Sequence, residues 1–221
     1  MRRVPLVVAA TIAVLTVLLA PTTPVQAAGR EPIVFVHGWN SSGATWNTMK
    51  SRFAADGWST SELNAWTYDT AQSNVTTANQ LSTFIDNVRA RTGAAEVDLV
   101  THSMGGLSSR YYLKNLASGG KVDEWVSLGG PNHGTTSANS CFDTSCFEMR
   151  PGSTFLENLN AGDETPGAFR YGTFWSRCDG VIWPADSTVL SGAVNTNVGC
   201  VTHGALLTNA GVYTQVRSFV R

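Results

Sequence analysis

The chain has little charge, and that charge is not concentrated anywhere. Only 14% of its 221 residues are Asp, Glu, Lys or Arg, against about 25% in typical soluble domains. Its 15 lysines and arginines form no run or stripe, which argues against nucleic acid and an anionic membrane surface as main partners. The composition suits a protein that handles apolar material.

Beyond its N-terminus the sequence has no apolar run long enough to cross a bilayer. The N-terminus carries Arg2 and Arg3, an apolar stretch over residues 6–20, and then small residues that end at Ala28. This order is typical of a secretory signal peptide. Residues 1–28 are therefore predicted to be removed, which leaves an extracellular protein with a net charge of about −3. An uncleaved membrane anchor is the alternative.

The chain has only four cysteines. In an exported protein they indicate two disulfides, for which three connectivities are possible. Cys141 and Cys146 lie close together in a polar segment, and Cys178 and Cys200 flank a longer one, so each pair is predicted to bond locally. A zinc site is the competing interpretation, but the spacing is not that of a zinc knuckle. No metal site is predicted.

Internal repeats, linkers and a second domain are also absent from the sequence, so residues 29–221 are predicted to form one domain. Short β-rich runs alternate with helical patterns, which is typical of an α/β fold with a mostly parallel, doubly wound sheet and helices on both faces. The core elements use most of the chain, which leaves no room for a large lid domain. The predicted strands are 33–36, 63–68, 97–100, 122–128, 169–175 and 189–194, the predicted helices contain 46–55, 81–88, 107–116, 155–159 and 206–220, and 129–152 is predicted to be a long loop.

The most informative pattern is the segment Val97–Gly106, where an apolar, β-rich run leads to Ser103 and glycines follow at once. It is typical of a nucleophile elbow, a sharp strand-to-helix turn that presents a serine. Glycines belong there because the strand and the helix nearly touch. Thr101 stands where the usual Gly-x-Ser-x-Gly pattern has its first glycine, so the match is to a looser form. Ser103 is the predicted nucleophile.

Serine is a weak nucleophile at neutral pH and needs a histidine to take its proton. His203 follows the last predicted strand, as the base of an α/β-hydrolase does, and it is the predicted base. His133 is its rival. His37 ends the first strand and is predicted to brace the neighbouring loop. His102 is expected to face away from the partner of Ser103, because successive side chains on a strand point in opposite directions.

A carboxylate must orient the base, and Asp179 is the predicted acid because it directly follows a strand. If its neighbour Cys178 pairs with Cys200, that bridge would tie the acid loop to the histidine loop. Asp163 and Asp186 are the rivals, and both are more typical of turn or capping residues.

Acyl transfer also needs preset donors for an oxyanion, usually main-chain N–H groups. Met104 follows the nucleophile at a helix N-terminus, where the dipole favours negative charge. Trp39 lies in the loop after the first strand, which supplies the second donor in this arrangement. Their side chains would be free to line an acyl pocket.

Four segments together resemble small secreted bacterial lipases, in particular the lipase class 2 group and the actinobacterial triacylglycerol lipases. The segments are His37–Trp39, His102–Gly106, Gly129–Gly134, and Cys178-Asp179 followed by His203. The resemblance runs over nearly the whole mature chain. It implies an α/β-hydrolase fold, hydrolysis of triacylglycerols or other esters without an organic cofactor, and a triad of Ser103, Asp179 and His203.

Other functions remain open at this point. A short-chain carboxylesterase, a polyester depolymerase or an acyltransferase would share these residues, and a binding protein on an inactive hydrolase scaffold would share the fold. A lipid or ester substrate and a monomeric enzyme are expected. In the insertion 132–150, Phe142 and Phe147 are expected either to form with Trp183 an apolar rim that engages an oil–water interface or to pack beneath their own loops.

Overall fold

The computed structural model describes Met1, residues 30–117 and residues 120–220. Apart from Met1, the predicted signal peptide lies outside the described residues. Among the helices that are described, none is both long and apolar enough to span a membrane.

Strands and helices alternate along most of the chain, as the sequence pattern predicts. The strands are β1 Ile33–Val36, β2 Leu63–Trp66, β3 Val97–His102, β4 Val122–Leu128, β5 Arg170–Trp175 and β6 Val194–Asn197. The α-helices are α1 Asn47–Ala55, α2 Asn74–Thr92, α3 Gly105–Asn115, α4 Thr144–Met149, α5 Thr154–Asn160 and α6 Ala210–Phe219.

The six strands form one parallel sheet in the order β2-β1-β3-β4-β5-β6. Because all the strands run the same way, their carboxyl ends meet at one edge, and the loops that follow β1, β3, β4 and β5 are brought together there. The position of β3 inside the sheet places the end of the elbow strand near the middle of that edge. The α/β fold with a parallel sheet is as predicted.

Each face of the sheet carries its own apolar core, because side chains alternate along a strand. Val34 and Val36 of β1 belong to a core that includes residues of α2 and α3. Ile33 and Phe35 belong to a second core that includes residues of α1 and α6. The strand is thus buried on both faces and reads as a continuous apolar run, as parallel strands do.

The last strand is where the sequence prediction is wrong. Residues 189–194 were expected to form it, but the strand is Val194–Asn197, and it follows a 3₁₀ helix at Ala185–Thr188. Leu190 is buried outside the strand, so apolar character marks a packed turn here. The edge strand itself is mostly exposed and shows no apolar pattern.

Two further segments differ from the prediction. The stretch 129–152, expected to be a loop, contains a 3₁₀ helix at Thr136–Ser140 and the helix α4. The expected single helix over 206–220 is a 3₁₀ helix at Gly204–Leu207 followed by α6. They are separate because Asn209 caps α6, its side chain accepting hydrogen bonds from the N–H groups of the first turn.

Candidate active site

Ser103 lies at the sharp turn between β3 and α3. Its φ of +54° places it in the left-handed region, which a residue with a side chain adopts only when its surroundings impose it. Its N–H donates to the carbonyl of Leu128 at 3.0 Å. A Cβ on Gly105 would lie only 2.5 Å from the carbonyl oxygen of Val36, so glycine is required where α3 meets β1. This is the geometry of a nucleophile elbow.

Asp179 and His203 form a hydrogen-bonded pair beyond the sheet edge. Nδ1 of His203 lies 2.9 Å from Oδ2 of Asp179, and the N–H of His203 donates to the carbonyl of Asp179 at 2.9 Å. With Nδ1 occupied by the carboxylate, Nε2 is the ring nitrogen that remains to accept a proton. The two residues therefore have the arrangement of a base and the carboxylate that orients it.

The Asp179 carboxylate is held in its ionised form although it is buried. Burial by itself would raise its pKa, but the hydrogen bond and charge of His203 and the N–H groups of Ile182 and Val181 oppose this and lower the pKa below its ordinary value. Those N–H groups donate to Oδ1 at 2.7 and 3.0 Å. One carboxylate oxygen is thus used to anchor the loop, and the other is left for the histidine.

Gly129 begins one of the segments that resemble the lipases, and the structure gives it a role that the sequence did not predict. Its φ is +56°, and a Cβ there would lie 2.9 Å from Oδ2 of Asp179 and 3.1 Å from Nδ1 of His203. The residue directly after β4 therefore has to lack a side chain for the pair to form.

The loop after β1 is braced by two side chains. Nδ1 of His37 lies 2.8 Å from the carbonyl oxygen of Gly38, and the hydroxyl of Tyr68 donates to the carbonyl of His37. The His37 ring also stacks on the Tyr68 ring with centroids 4.3 Å apart. Since the C=O and N–H of a trans peptide point in opposite directions, the bond to Gly38 fixes the orientation of the Trp39 N–H. His37 thus braces this loop, as predicted, and Tyr68 is an addition.

The two predicted oxyanion donors are Trp39 and Met104. Within the described part of the chain, neither N–H donates to another group, and Met104 directly precedes the first residue of α3. Their side chains differ in placement. Trp39 lines the cavity described below, whereas Met104 is buried in the apolar core, so the expectation that both would line an acyl pocket is wrong for Met104.

A cavity of about 460 Å³ lies over these residues, within the size range of ligand pockets. Ser103, His203 and Trp39 line it together, and its walls carry both apolar and hydroxyl side chains. Thus the structure brings the predicted nucleophile, base and oxyanion loop to one opening. No hydrogen bond joins Ser103 to His203 among the described residues, which is common before substrate binds.

The rival residues are engaged elsewhere. Nε2 of His133 pairs with Glu164 at 2.6 Å, and His133 does not line the cavity. Asp163 accepts a hydrogen bond from the N–H of Thr165 in a turn, and Asp186 lies in the first turn of a 3₁₀ helix. The turn and capping roles considered for both aspartates fit these positions.

His102 is the residue whose place the sequence reasoning got wrong. Its Nε2 lies 3.0 Å from the carbonyl oxygen of His203, and the two imidazole centroids are 4.4 Å apart. The alternation of side chains along a strand no longer holds at His102, because the next residue, Ser103, has left the strand and has a positive φ. Consecutive side chains can then reach the same partner.

Both disulfides are local, as predicted. Cys178 pairs with Cys200, joining the segment that carries Asp179 to the segment that carries His203. Cys141 pairs with Cys146 at the start of α4. Among the described residues no group of His, Cys, Asp or Glu has the arrangement of a metal site.

The three aromatic side chains of the expected rim are exposed, and two of them, Phe142 and Trp183, directly follow the cavity-lining residues Cys141 and Ile182. Phe142, Trp183 and Phe147 are 78%, 64% and 47% exposed, so these aromatic side chains do not pack beneath their loops. Trp39 and Val181, which line the cavity, are also partly exposed. The Trp39 indole donates to Asp143, which directly follows Phe142, at 2.7 Å. The loop after β1 is therefore joined to the segment that carries Phe142.

The fold is shared with solved structures of low sequence identity, two of them lipases. A Bacillus licheniformis lipase, BlEst2 in its mature form, is 18% identical, with a TM-score of 0.73 over 87% of this chain and 93% of that one. Aspergillus fumigatus lipase B is 18% identical, with a TM-score of 0.68 over 84% of this chain and 51% of that one. The lin2722 product of Listeria innocua is 13% identical, with a TM-score of 0.67 over 87% and 94%.

The similarity to these structures shows that the chain shares their fold, an α/β fold with a six-stranded parallel sheet. A family model adds the closer relation, because the model of the class 2 lipases matches residues 30–203. That range spans the whole site, from the loop after β1 to the last residue of the predicted triad. This chain therefore belongs to the lipase class 2 family.

Proposed function

We propose that this protein is a secreted triacylglycerol lipase that cleaves carboxylic esters of fatty acids through an acyl-enzyme. Family membership supports an ester hydrolase. The observation that carries the finer proposal is the hydrogen-bonded Asp179–His203 pair together with a serine in the left-handed region, with Ser103 and His203 lining one cavity. Serine at an elbow, a base oriented by a carboxylate and main-chain donors are the requirements of acyl transfer.

The reaction would begin with proton transfer from Ser103 Oγ to Nε2 of His203 as Oγ attacks the ester carbonyl. Asp179 would stabilise the imidazolium formed, and the N–H groups of Trp39 and Met104 would receive the oxyanion. The imidazolium then gives its proton to the departing alcohol, which leaves the acyl group on Ser103. Water, activated by the same histidine, would release the fatty acid and restore the serine.

The rim and the cavity support a fatty substrate. Phe142 and Trp183 are exposed and directly follow residues that line the cavity, and an apolar patch there would fit a lipid surface. The insertion 132–150, which carries Phe142 and Phe147, is tied down: Glu148 accepts from the N–H and the side chain of Asn74, and Ser145 donates to the carbonyl of Thr70. An anchored insertion is expected to leave the cavity open without an oil–water interface.

The nucleophile is tested by Ser103→Ala, with Ser51→Ala as the matched control because Ser51 is exposed on α1 and does not line the cavity. Both proteins are assayed on p-nitrophenyl esters of increasing chain length. Ser103→Ala is expected to lose several orders of magnitude in kcat with an unchanged melting temperature, whereas Ser51→Ala stays close to the wild type. Substantial activity of Ser103→Ala would refute the proposed mechanism.

The chain-length series also separates the lipase from its alternatives. Hydrolysis that holds or rises toward medium and long acyl chains supports a lipase. A rate confined to acetyl and butyryl esters would indicate a short-chain carboxylesterase, and release of monomers from a polyester film would indicate a depolymerase. The same preparation should show no loss of rate when a chelator is added, because the proposed steps use only protein groups.

Export is the remaining part of the proposal. Two disulfides and the lipase family fit an extracellular protein. Cleavage after Ala27 or Ala28 would release the mature chain. Mass spectrometry of the protein recovered from the medium should give an N-terminus at one of these two sites, and recovery of the full-length chain in the membrane fraction would indicate an uncleaved anchor instead.

A further inference from the structure

His203, the proposed base, lies in a segment without regular secondary structure. The strand β6 ends at Asn197, and the next 3₁₀ helix begins at Gly204. The ladder of a sheet or helix therefore does not hold the residue. Its position depends on individual contacts, of which the two with Asp179 have been described.

A third contact comes from His102. The imidazole of His102 is buried and its Nε2 lies 3.0 Å from the carbonyl oxygen of His203, so Nε2–H is the donor. The two rings lie 4.4 Å apart at an angle of 41°. The edge of the Trp46 indole supports the His102 ring from another side, with centroids 6.5 Å apart. The backbone and the ring of His203 are thus both touched by one neighbouring side chain.

We propose that His102 is a positioning residue that holds the His203 imidazole in line with Ser103. This inference rests on the proposed function. Because His102 directly precedes Ser103, the end of β3 carries both the nucleophile and the side chain that places the base. The distance between nucleophile and base is then set across one peptide unit and one hydrogen bond, and a small misplacement at such a site costs a large factor in rate.

The environment keeps His102 suited to this role. Burial, followed by the charge of the neighbouring His203, lowers the pKa of His102 to about 3, so its imidazole stays neutral in the working range. A second positive charge beside His203 would oppose proton transfer from Ser103. A neutral ring can pack against the imidazolium that forms and still donate Nε2–H to the carbonyl.

The test separates the hydrogen bond from the ring contact. His102→Phe keeps a ring but has no donor, His102→Gln keeps an N–H near the position of Nε2 but has no ring, and His102→Ala has neither. Thr173→Val is the control, because Thr173 is buried on β5 and also loses one side-chain hydrogen bond, to Asn195. Each variant is assayed for kcat and KM on a soluble p-nitrophenyl ester and for its melting temperature.

The expected result is a fall in kcat of about tenfold for His102→Phe and about 100-fold for His102→Ala, each with KM changed less than twofold. His102→Gln should recover kcat to within about threefold of the wild type. The control should keep the wild-type kcat. A purely structural role would instead lower the melting temperature without this division between kcat and KM, and without recovery by glutamine.

Two outcomes overturn the inference. One is a wild-type kcat in both His102→Phe and His102→Gln. These two variants are expected to fold even if His102→Ala does not. The other is a loss that glutamine fails to recover. Failure of the proposed function is recognised separately, by activity in Ser103→Ala. If that variant is inactive while the His102 variants behave like the control, only the positioning role is wrong.

Discussion

Replacing His102 by glutamine should remove the contribution that this histidine makes to the protein's loss of stability in acid. Burial and the charge of His203 give His102 a pKa of about 3 in the folded state, against an ordinary value of 6.5. Since the folded pKa is the lower one, the unfolded chain binds this proton first as the pH falls. Stability from this group is therefore present above pH 6.5 and is lost progressively between about pH 6.5 and pH 3.

The magnitude at a convenient pH follows from the two pKa values. At pH 5 the unfolded histidine is almost fully protonated and the folded one is neutral, which corresponds to a loss of about 2 kcal/mol relative to pH 7.5. For a domain of this size that is a fall in Tm of roughly 4–8 °C. Glutamine does not titrate, so His102→Gln should lack this contribution.

The assay is urea unfolding at pH 7.5 and pH 5.0, followed by tryptophan fluorescence, for both proteins. For each protein we take the change in the free energy of unfolding between pH 7.5 and pH 5.0. The quantity of interest is the difference in this change between the wild type and His102→Gln. Other groups titrate with shifted pKa values in both, and their effects cancel: Asp98 and Glu148 are raised by burial, and His37 is lowered by burial. Equal changes in wild type and variant would refute the reasoning.

Three further outcomes are expected. Removing the Cys178–Cys200 bridge by paired Cys→Ser changes should lower kcat and reduce the free energy of unfolding by about 3 kcal/mol, because this bridge closes a span of 22 residues and joins the acid and base segments. Removing the Cys141–Cys146 bridge, which spans only 5 residues, should reduce the free energy of unfolding by about 2 kcal/mol and change kcat little. Equal effects of the two removals on turnover would contradict this. Asp98→Asn should unfold at a higher temperature than the wild type at pH 8 and lose that advantage toward pH 4. Burial and the nearby Glu124 charge raise the pKa of Asp98 in the folded state, so the carboxyl of the unfolded chain ionises first as the pH rises. A constant difference in melting temperature between pH 4 and pH 8 would count against this prediction. The hydrolysis rate should change smoothly as a triacylglycerol passes its solubility limit, and a steep rise at emulsion formation would reveal a closing lid.

The site could be predicted from the sequence as far as its residue types and their order. Ser103 lies in a strand-to-helix pattern, and a base that follows the nucleophile and the acid in the chain, as His203 does, is typical of the predicted fold. The structure places Ser103, Asp179 and His203 at one sheet edge, as the prediction requires, and their catalytic roles remain to be tested. Parallel strands explain why Ser103 and Asp179 lie at one edge, since the ends of β3 and β5 must meet there.

The fold could be predicted wherever apolar periodicity coincided with burial. The strand β1 is buried on both faces and its sequence is a continuous apolar run. The strand β6 lies at the sheet edge, is mostly exposed, and has no such run. The last strand was predicted too early in the chain because Leu190 is apolar, but this residue is buried outside the strand. The helix α4 is short and lies in a polar, cysteine-bearing segment, and its six residues are too few to show a helical period.

Apart from the brace that His37 provides within its own loop, the contacts that position the candidate site could not be predicted, because they join segments far apart in the chain through main-chain atoms. Tyr68 donates to the carbonyl of a residue 31 positions earlier, and His102 contacts the carbonyl of a residue 101 positions later. Any residue supplies a carbonyl, so the accepting partner leaves no trace in the sequence. The donors do leave one: buried histidines at the ends of β1 and β3. In a parallel sheet, a polar side chain at the carboxyl end of a buried strand has few partners other than the loops of the site, and such a residue is best regarded as a candidate brace for them even when the chemistry does not require it.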